Sequence, residues 1–495
     1  MVFGLLLACR PATPDSAEPS VVELAGALSP TDPHAAVFTL SAGGPVDLRC
    51  ATAAGDDVHA LLGRAAPGPL VVRGLLGDTS YACVATRGDA RSGTIELQTP
   101  PLPEAFPVAE VAVAGDAADV GFRLVNLARL LAPENAGGNY FSDEFLAILD
   151  AEGRPRWHFA GEGGGDIDAT WLGEDRLLFG GFGADASTAP TVLTLDGEVL
   201  LSAPDALSSD WQVPSSWHHD AGLAADGASL WVLAQEAIPT EDDPDTTWEG
   251  FVIQELALDT GAVLWSWSSM DDGVAAGALE PGTRYDTGPY HANAVWDVEE
   301  AGREKVYVSL RNLNQVLRID VATREVDLRV GHGGDLALLG IDGAPAEDTE
   351  WFFGQHDVKR IGDRLVVYDN GLGRTAVGGA PYSRAMVLLL DEAAGTARIE
   401  TAWRGPLDWT SPAWGGLDRR ADGALDLAIG NFWWVDEDAP QRSALALLRP
   451  DAAGGADLSW RIDFPDRETA LYRSDSIDGC ALFDLVDACP EPRDR

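Results

Sequence analysis

Lysine is almost missing from this chain. Of its 495 residues only Lys305 and Lys359 are lysines. The 34 Lys and Arg side chains face 79 Asp and Glu, for a formal net charge of −45. Phosphate backbones are held by clustered Lys and Arg, so nucleic acid is excluded as a partner. Long apolar runs are missing too, and the stretch ahead of Cys9 is too short to cross a bilayer. From about residue 105 onward there is no convincing helical periodicity. Cysteines number only five. None forms a CxxC pair or a Cys/His cluster with zinc spacing.

What is present divides the chain into three parts. Residues 1–20 end an apolar start in Leu6-Leu7-Ala8-Cys9 and continue as a Pro/Ser/Ala-rich tether. That start resembles the lipobox of a bacterial lipoprotein signal. The resemblance implies lipidation at Cys9 and an exported protein, periplasmic or at the outer-membrane or cell surface. The other cysteines fall into two local sets, Cys50 with Cys83 and Cys480 with Cys489. In an exported chain this even number suggests two disulfides.

Residues 21–103 read as a small β-sandwich. Short alternating runs such as Ala36–Leu40 and Leu70–Val72 are separated by Gly and Pro turns. The segment Gly74-Leu75-Leu76-Gly77-Asp78-Thr79-Ser80-Tyr81 resembles a corner of fibronectin type III domains. In such a domain a Cys50–Cys83 bridge would cross between the two sheets. Thr99–Pro103 reads as the linker.

Residues 104–495 repeat a unit of four short strands. The clearest copy has strands at about Ala292–Val298, Lys305–Arg311, Gln315–Asp320 and Glu325–Val330. Four strands in about 40 residues is the form of one propeller blade. Other copies begin near Asp166, His219, His356 and Ser411, and a less regular one covers about 118–160. The expected fold is all-β: a six-bladed β-propeller preceded by a fibronectin III-like sandwich. The first and last segments are expected to close the ring jointly. Seven blades is the alternative count.

Three of these units open with histidine, at His219, His291 and His356. The first strand of a blade lines the central channel, so equivalent positions on successive blades meet at one rim. Arg311 ends the second strand of the His291 unit and returns to that rim. Asn293 lies two residues after His291 and shares its face. By the same alternation Asp357 points away from His356, whereas Asp369 and Asn370 reach its rim. Only one of His218 and His219 can face the channel. His219 precedes an aspartate, as His356 does, and is the better match; His218 stays the alternative, as a substrate-binding side chain.

At these residues a family pattern emerges. The run HANAVWDV, VYVSLRNLNQVLRID, VGHGG, FFGQHDVKR, RLVVYDNG and SRAMVLLLD resembles the bacterial arylsulfate sulfotransferases. The match covers roughly residues 120–460 and is densest over 215–395. The resemblance implies an exported enzyme with a six-bladed propeller and an N-terminal sandwich. It implies transfer of a sulfuryl group from an aryl sulfate to a phenol, with no cofactor, metal or 3'-phosphoadenylylsulfate. His356 then matches the nucleophile, and His219, His291, Asn293 and Arg311 match the groups around the sulfate. The family's sandwich can support a homodimer.

The residue types suit that chemistry. A neutral imidazole is nucleophilic near neutral pH. Arg311 offers a permanently charged fork for sulfate oxygens. His219 is the candidate to protonate the departing phenolate. Other readings stay open: an aryl sulfate hydrolase on the same scaffold, a non-catalytic binding propeller, or a three-histidine metal site. Arg311 beside the cluster argues against the last. His34, His59, His158 and His332 read as structural, and Asp166 and Asp168 as polar lining. Tyr290, Trp351, Phe352, Phe353, Tyr382, Trp433 and Trp434 suit blade packing or a phenolic ring equally well.

Overall fold

The computed structural model describes residues 22–41, 44–66, 69–130, 141–160, 166–181, 190–202, 217–225, 227–239, 247–280, 289–405, 411, 413–430, 442–477, 480–483 and 485. The chain divides into two units. One is Met1–Pro101 with Phe483–Asp487; the other is Leu102–Leu482 with Ala488–Arg495.

The first unit holds β1 (Leu24–Leu28), β2 (Ala36–Leu40), β3 (Gly44–Thr52), β4 (Val58–Ala66), β5 (Leu70–Val72), β6 (Ser80–Arg87), β7 (Ala90–Arg91) and β8 (Ile95–Gln98). Two antiparallel sheets result, β1-β2-β5 and β4-β3-β6, with β7 and β8 both pairing β6. Alternation decides which side chains enter the core. In β3, Val46, Leu48 and Cys50 are buried while Asp47 and Arg49 are exposed. Tyr81, Cys83 and Ala85 do the same in β6. The Tyr81 hydroxyl accepts from Leu76 N at 2.9 Å and donates to Asp57. Cys50 and Cys83 are bonded, but not between sheets. They stand directly opposite each other on the paired strands β3 and β6, so the expected inter-sheet bridge is corrected to one within a sheet. Cys9, Cys489 and the side chain of Cys480 lie outside the described residues.

The second unit begins with β9 (Glu110–Val113), a helical turn at Ala117–Val120, β10 (Phe122–Leu130), β11 (Phe141–Leu149) and β12 (Pro155–Ala160). Then come β13 (Asp166–Gly173), β14 (Arg176–Gly181), β15 (Thr191–Thr194), β16 (Val199–Ser202), β17 (Trp217–Leu223), β18 (Ser229–Pro239), β19 (Thr247–Ala257) and β20 (Val263–Ser268). Next are β21 (Ala292–Glu300), β22 (Arg303–Leu310), β23 (Gln315–Asp320), β24 (Val326–Gly331), β25 (Ala337–Leu339), β26 (His356–Ile361), β27 (Arg364–Asp369), β28 (Arg384–Asp391) and β29 (Thr396–Trp403). The last are β30 (Gly416–Arg419), β31 (Leu425–Ile429), β32 (Ser443–Pro450), β33 (Ala456–Phe464) and β34 (Thr469–Ile477).

Each run of four consecutive strands from β13 to β24, and again β26–β29 and β30–β33, is an antiparallel meander. β25 adds in parallel to β29, and β9 adds to β33. The remaining sheet, β12-β11-β10-β34, takes its inner strand from the far end of the chain. The inner strands β34, β13, β17, β21, β26 and β30 neighbour one another in that order, and β30 meets β34 again. The arrangement is propeller-like.

Middle strands are apolar on both faces because sheets stack on both sides of them. Val306–Leu310, Leu365–Tyr368 and Leu425–Ile429 are buried without alternation. One core cluster joins Tyr307 and Val316 of one sheet to Val367 and Met386 of the next. Burying each such side chain stabilises the fold by about 1.5–3 kcal/mol. The sheets are also tied through inner-strand aspartates. Asp220 accepts from Val295 N at 2.6 Å, Asp357 from Leu417 N at 2.8 Å and Asp475 from Trp171 N at 3.0 Å. Each carboxylate thus reaches the inner strand of the next sheet. Short helical turns, including a π-turn at Ser269–Val274, interrupt what the sequence suggests is helix-free.

Candidate active site

Nine non-glycine residues among those described have positive φ, and four of them are His219 (65°), His291 (50°), Asp357 (47°), the residue after His356, and Trp414 (65°). Such backbone costs on the order of 1–3 kcal/mol per residue and persists where surrounding contacts enforce it. The strand register shifts at the same places, between Trp217 and Ala221, Ala292 and Ala294, and His356 and Val358. His219 therefore falls on a bulge, and Asn293 and Asp357 do so beside the other two histidines; His291 lies just ahead of β21, and His356 pairs with Tyr368. Arg311, expected as the last residue of a strand, begins a 3-10 turn instead. Its N–H donates to His291 O at 3.1 Å, which places the two side by side.

Asp369 and Gln355 build the turn that carries His356. Fully buried Asp369 accepts from Phe353 N at 2.9 Å and Gly371 N at 3.0 Å. It also pairs with Arg374 and, at 2.8 Å, with Arg384. Two guanidinium partners and two N–H donors offset the desolvation of that carboxylate. Gln355 Nε2 donates to Ser309 Oγ at 3.0 Å, Leu310 O at 3.2 Å and Gln315 O at 3.1 Å. This ties His356 to the strand end that carries Arg311. Gly371, at φ +76°, passes so near Tyr382 O that a Cβ would lie 1.9 Å from it. The family-like motif is thus largely scaffold.

His356 is 1 % exposed. Its Nδ1 lies 2.8 Å from Asn370 Oδ1, and Trp414 N approaches Nε2 at 3.5 Å. Burial is the main force holding its pKa well below the usual histidine value, and the nearby charges of Arg311, His291 and Arg473 push the same way. The imidazole is therefore neutral around pH 7. Burial also lowers the Arg311 pKa, though a guanidinium keeps its charge.

His219 and His291 meet edge to face, with ring centroids 4.8 Å apart. Tyr472 continues the wall, 6.4 Å from His219 and 5.6 Å from Trp414. Asn293 is buried and its Nδ2 donates to Gln355 O at 2.7 Å. Its side chain thus reaches toward the His356 turn. His219, His291, Asn293, Arg311 and His356 are brought together. The side chains of His218, Asp166 and Asp168 lie outside the described residues, as do Trp433 and Trp434.

Three neighbours were not read from the sequence. Arg473 donates to Asn293 O and pairs with Asp220 at 2.8 Å. Tyr472 shares its strand, β34, which pairs with β10 from the far end of the second unit and carries no motif. Trp414 is placed by its left-handed backbone, which no motif announces. Below the rim, Asp357 does not orient His356. It pairs with Lys359 at 3.2 Å, and Lys359 reaches Asp418 at 2.5 Å. Burial among these charges lifts the Asp418 pKa to about 7.

The remaining candidates pack. Trp351, Phe352 and Phe353 lie in a core cluster, Tyr290 lies in another, and Tyr382 stacks between Arg374 and Arg404. His34 bonds Leu75 O at 2.6 Å and His59 bonds Phe483 O at 2.8 Å. His158 packs on Phe106, and His332 on Phe353. Among the described residues no group of three or more His, Cys, Asp or Glu is arranged to hold a metal ion.

Among solved structures the chain is similar to a protein of unknown function from Bacteroides caccae, at 12 % identity and TM-score 0.40, over 71 % of this chain and 98 % of that one. A periplasmic gluconolactonase from Pseudomonas aeruginosa is 15 % identical, with TM-score 0.35, over 68 % and 82 %. The β-propeller domain of Myceliophteria thermophila Cps50 (Swd1) is 10 % identical, with TM-score 0.35, over 75 % and 100 %. No curated protein matches the chain. The arylsulfotransferase (ASST) family model matches residues 138–424, more than half of the sequence and all the histidines of the rim, and the chain belongs to that family.

Proposed function

We propose that the protein is an aryl sulfotransferase working without 3'-phosphoadenylylsulfate, and that it passes a sulfuryl group through His356. The observation that carries this is a buried imidazole, His356, near the part-buried guanidinium of Arg311, within the matched family segment. His356 Nε2 attacks the sulfur of an aryl sulfate. The N–S bond forms, the S–O bond to the ring breaks, and the phenolate leaves with the electron pair. His219 supplies its proton and later takes one from the incoming phenol. Arg311, His291 and Asn293 stabilise the charge on the transferring group. Release of the first phenol before the second binds makes the kinetics ping-pong.

Six sheets and a ring closed by β34 support a six-bladed count, and the β1-β2-β5 and β4-β3-β6-β8 sheets support a fibronectin III-like sandwich. The Cys50–Cys83 disulfide accords with export, and we retain Cys9 as the lipid anchor. His356→Ala is the test of function. It should abolish transfer from a chromogenic aryl sulfate while the near-UV circular dichroism stays native. Retained transfer refutes the proposal. Acceptor-dependent product, as against free sulfate, separates transfer from hydrolysis.

A further inference from the structure

We infer that Asn370 is a positioning residue that holds the proton of His356 on Nδ1, which leaves Nε2 as the attacking atom and keeps the sulfurylated ring a cation. The inference rests on the functional reading above and adds the part played by Asn370.

The proton follows from hydrogen-bond directions. Asn370 is buried, and its Nδ2 donates to Ser411 O at 2.7 Å and Trp414 O at 2.8 Å. A carbonyl oxygen only accepts, so both amide hydrogens are committed and the orientation of the amide is fixed. Oδ1 is then the atom facing His356 Nδ1, 2.8 Å away, and it too only accepts. Nδ1 must carry the hydrogen. The other end of the ring agrees: the Trp414 N–H, a donor, faces Nε2 at 3.5 Å. The two carbonyls are themselves anchored. Ser411 N donates to Ser383 Oγ at 2.8 Å, and Gly415 N, next to Trp414, donates to Tyr472 O at 2.9 Å.

The choice of amide over carboxylate has a chemical consequence. When Nε2 bonds to sulfur and the phenolate departs, the ring still bears its Nδ1 hydrogen and becomes an imidazolium. Asn370 is too weak a base to remove that proton. In the second step the phenol oxygen bonds to sulfur, the S–N bond breaks, and the pair returns to Nε2 as neutral imidazole leaves. A deprotonated ring would have to leave as an anion, and the adduct would become a trap. An aspartate at position 370 would draw the proton toward itself and slow the second step.

Two measurements decide this. In the substrate-free wild type labelled with 15N-histidine, the resonances removed by His356→Gln should show a protonated Nδ1 and a bare Nε2. The reverse pattern overturns the inference whatever the variants do. In Asn370→Asp, single-turnover release of the first phenol should persist, while transfer to the acceptor slows about 10²-fold and adduct accumulates. That is the low end of what a correctly held proton contributes. Equal slowing of both half-reactions, or of neither, overturns it. Failure of the wild type to form any adduct overturns the functional reading and this inference together.

Discussion

The neutrality of His356 has a direction that can be checked. A histidine whose folded pKa lies below its unfolded value of ~6.5 binds its proton less readily in the folded chain. Its contribution to stability is full above pH ~6.5 and is lost as pH falls toward the folded value. Under the proposed function, activity follows the same group. The acid limb of kcat/KM should lie below pH ~6.5, because the nucleophile stays unprotonated there. An acid limb at or above 6.5 in the pH–rate profile would contradict this. For His219 the prediction depends on the leaving group. His219→Ala should slow single-turnover release of the first phenol from an unactivated phenyl sulfate by about 10²–10⁴-fold. It should barely affect a nitrophenyl sulfate, whose phenolate departs without a proton. A Brønsted plot over a donor series reads this; equal losses across the series would remove His219 from that role.

At the scale of elements, the four-strand repeat is legible because a strand buried on both faces must be a continuous apolar run. Arg303–Leu310 and Gln315–Asp320 fall within two residues of their expected bounds. The three histidines are legible because each lies at or within two residues of the start of an inner strand. The bulges are not, since left-handed His219, His291 and Asp357 are held there by neighbouring sheets and not by local propensity. Nor is the pairing of Arg473 with Asp220, which needs the ring to close first. In the first unit, Cys50 and Cys83 are both buried. Alternation cannot tell that β3 and β6 are adjacent, hence the misplaced inter-sheet bridge. That disulfide closes a separation of 33 residues. Its removal by Cys50→Ser with Cys83→Ser should cost the first unit about 3–4 kcal/mol in chemical denaturation. The transfer rate should be unchanged; a matching loss of activity would tie catalysis to the sandwich.

At the scale of the whole molecule, a charge of −45 repels an anionic sulfate ester. Surface repulsion is screened by salt, whereas the pull of part-buried Arg311 is screened less. Raising ionic strength from ~0.01 to ~0.15 M should therefore raise kcat/KM. A fall would mean that exposed cations steer the donor. The most direct measurement is the intact mass of the protein after mixing with aryl sulfate in the absence of acceptor, followed by fragmentation to locate the change. The account predicts one added SO3 group on His356, discharged when a phenol is supplied and missing in His356→Ala. An unchanged mass, or the group on another residue, would contradict it.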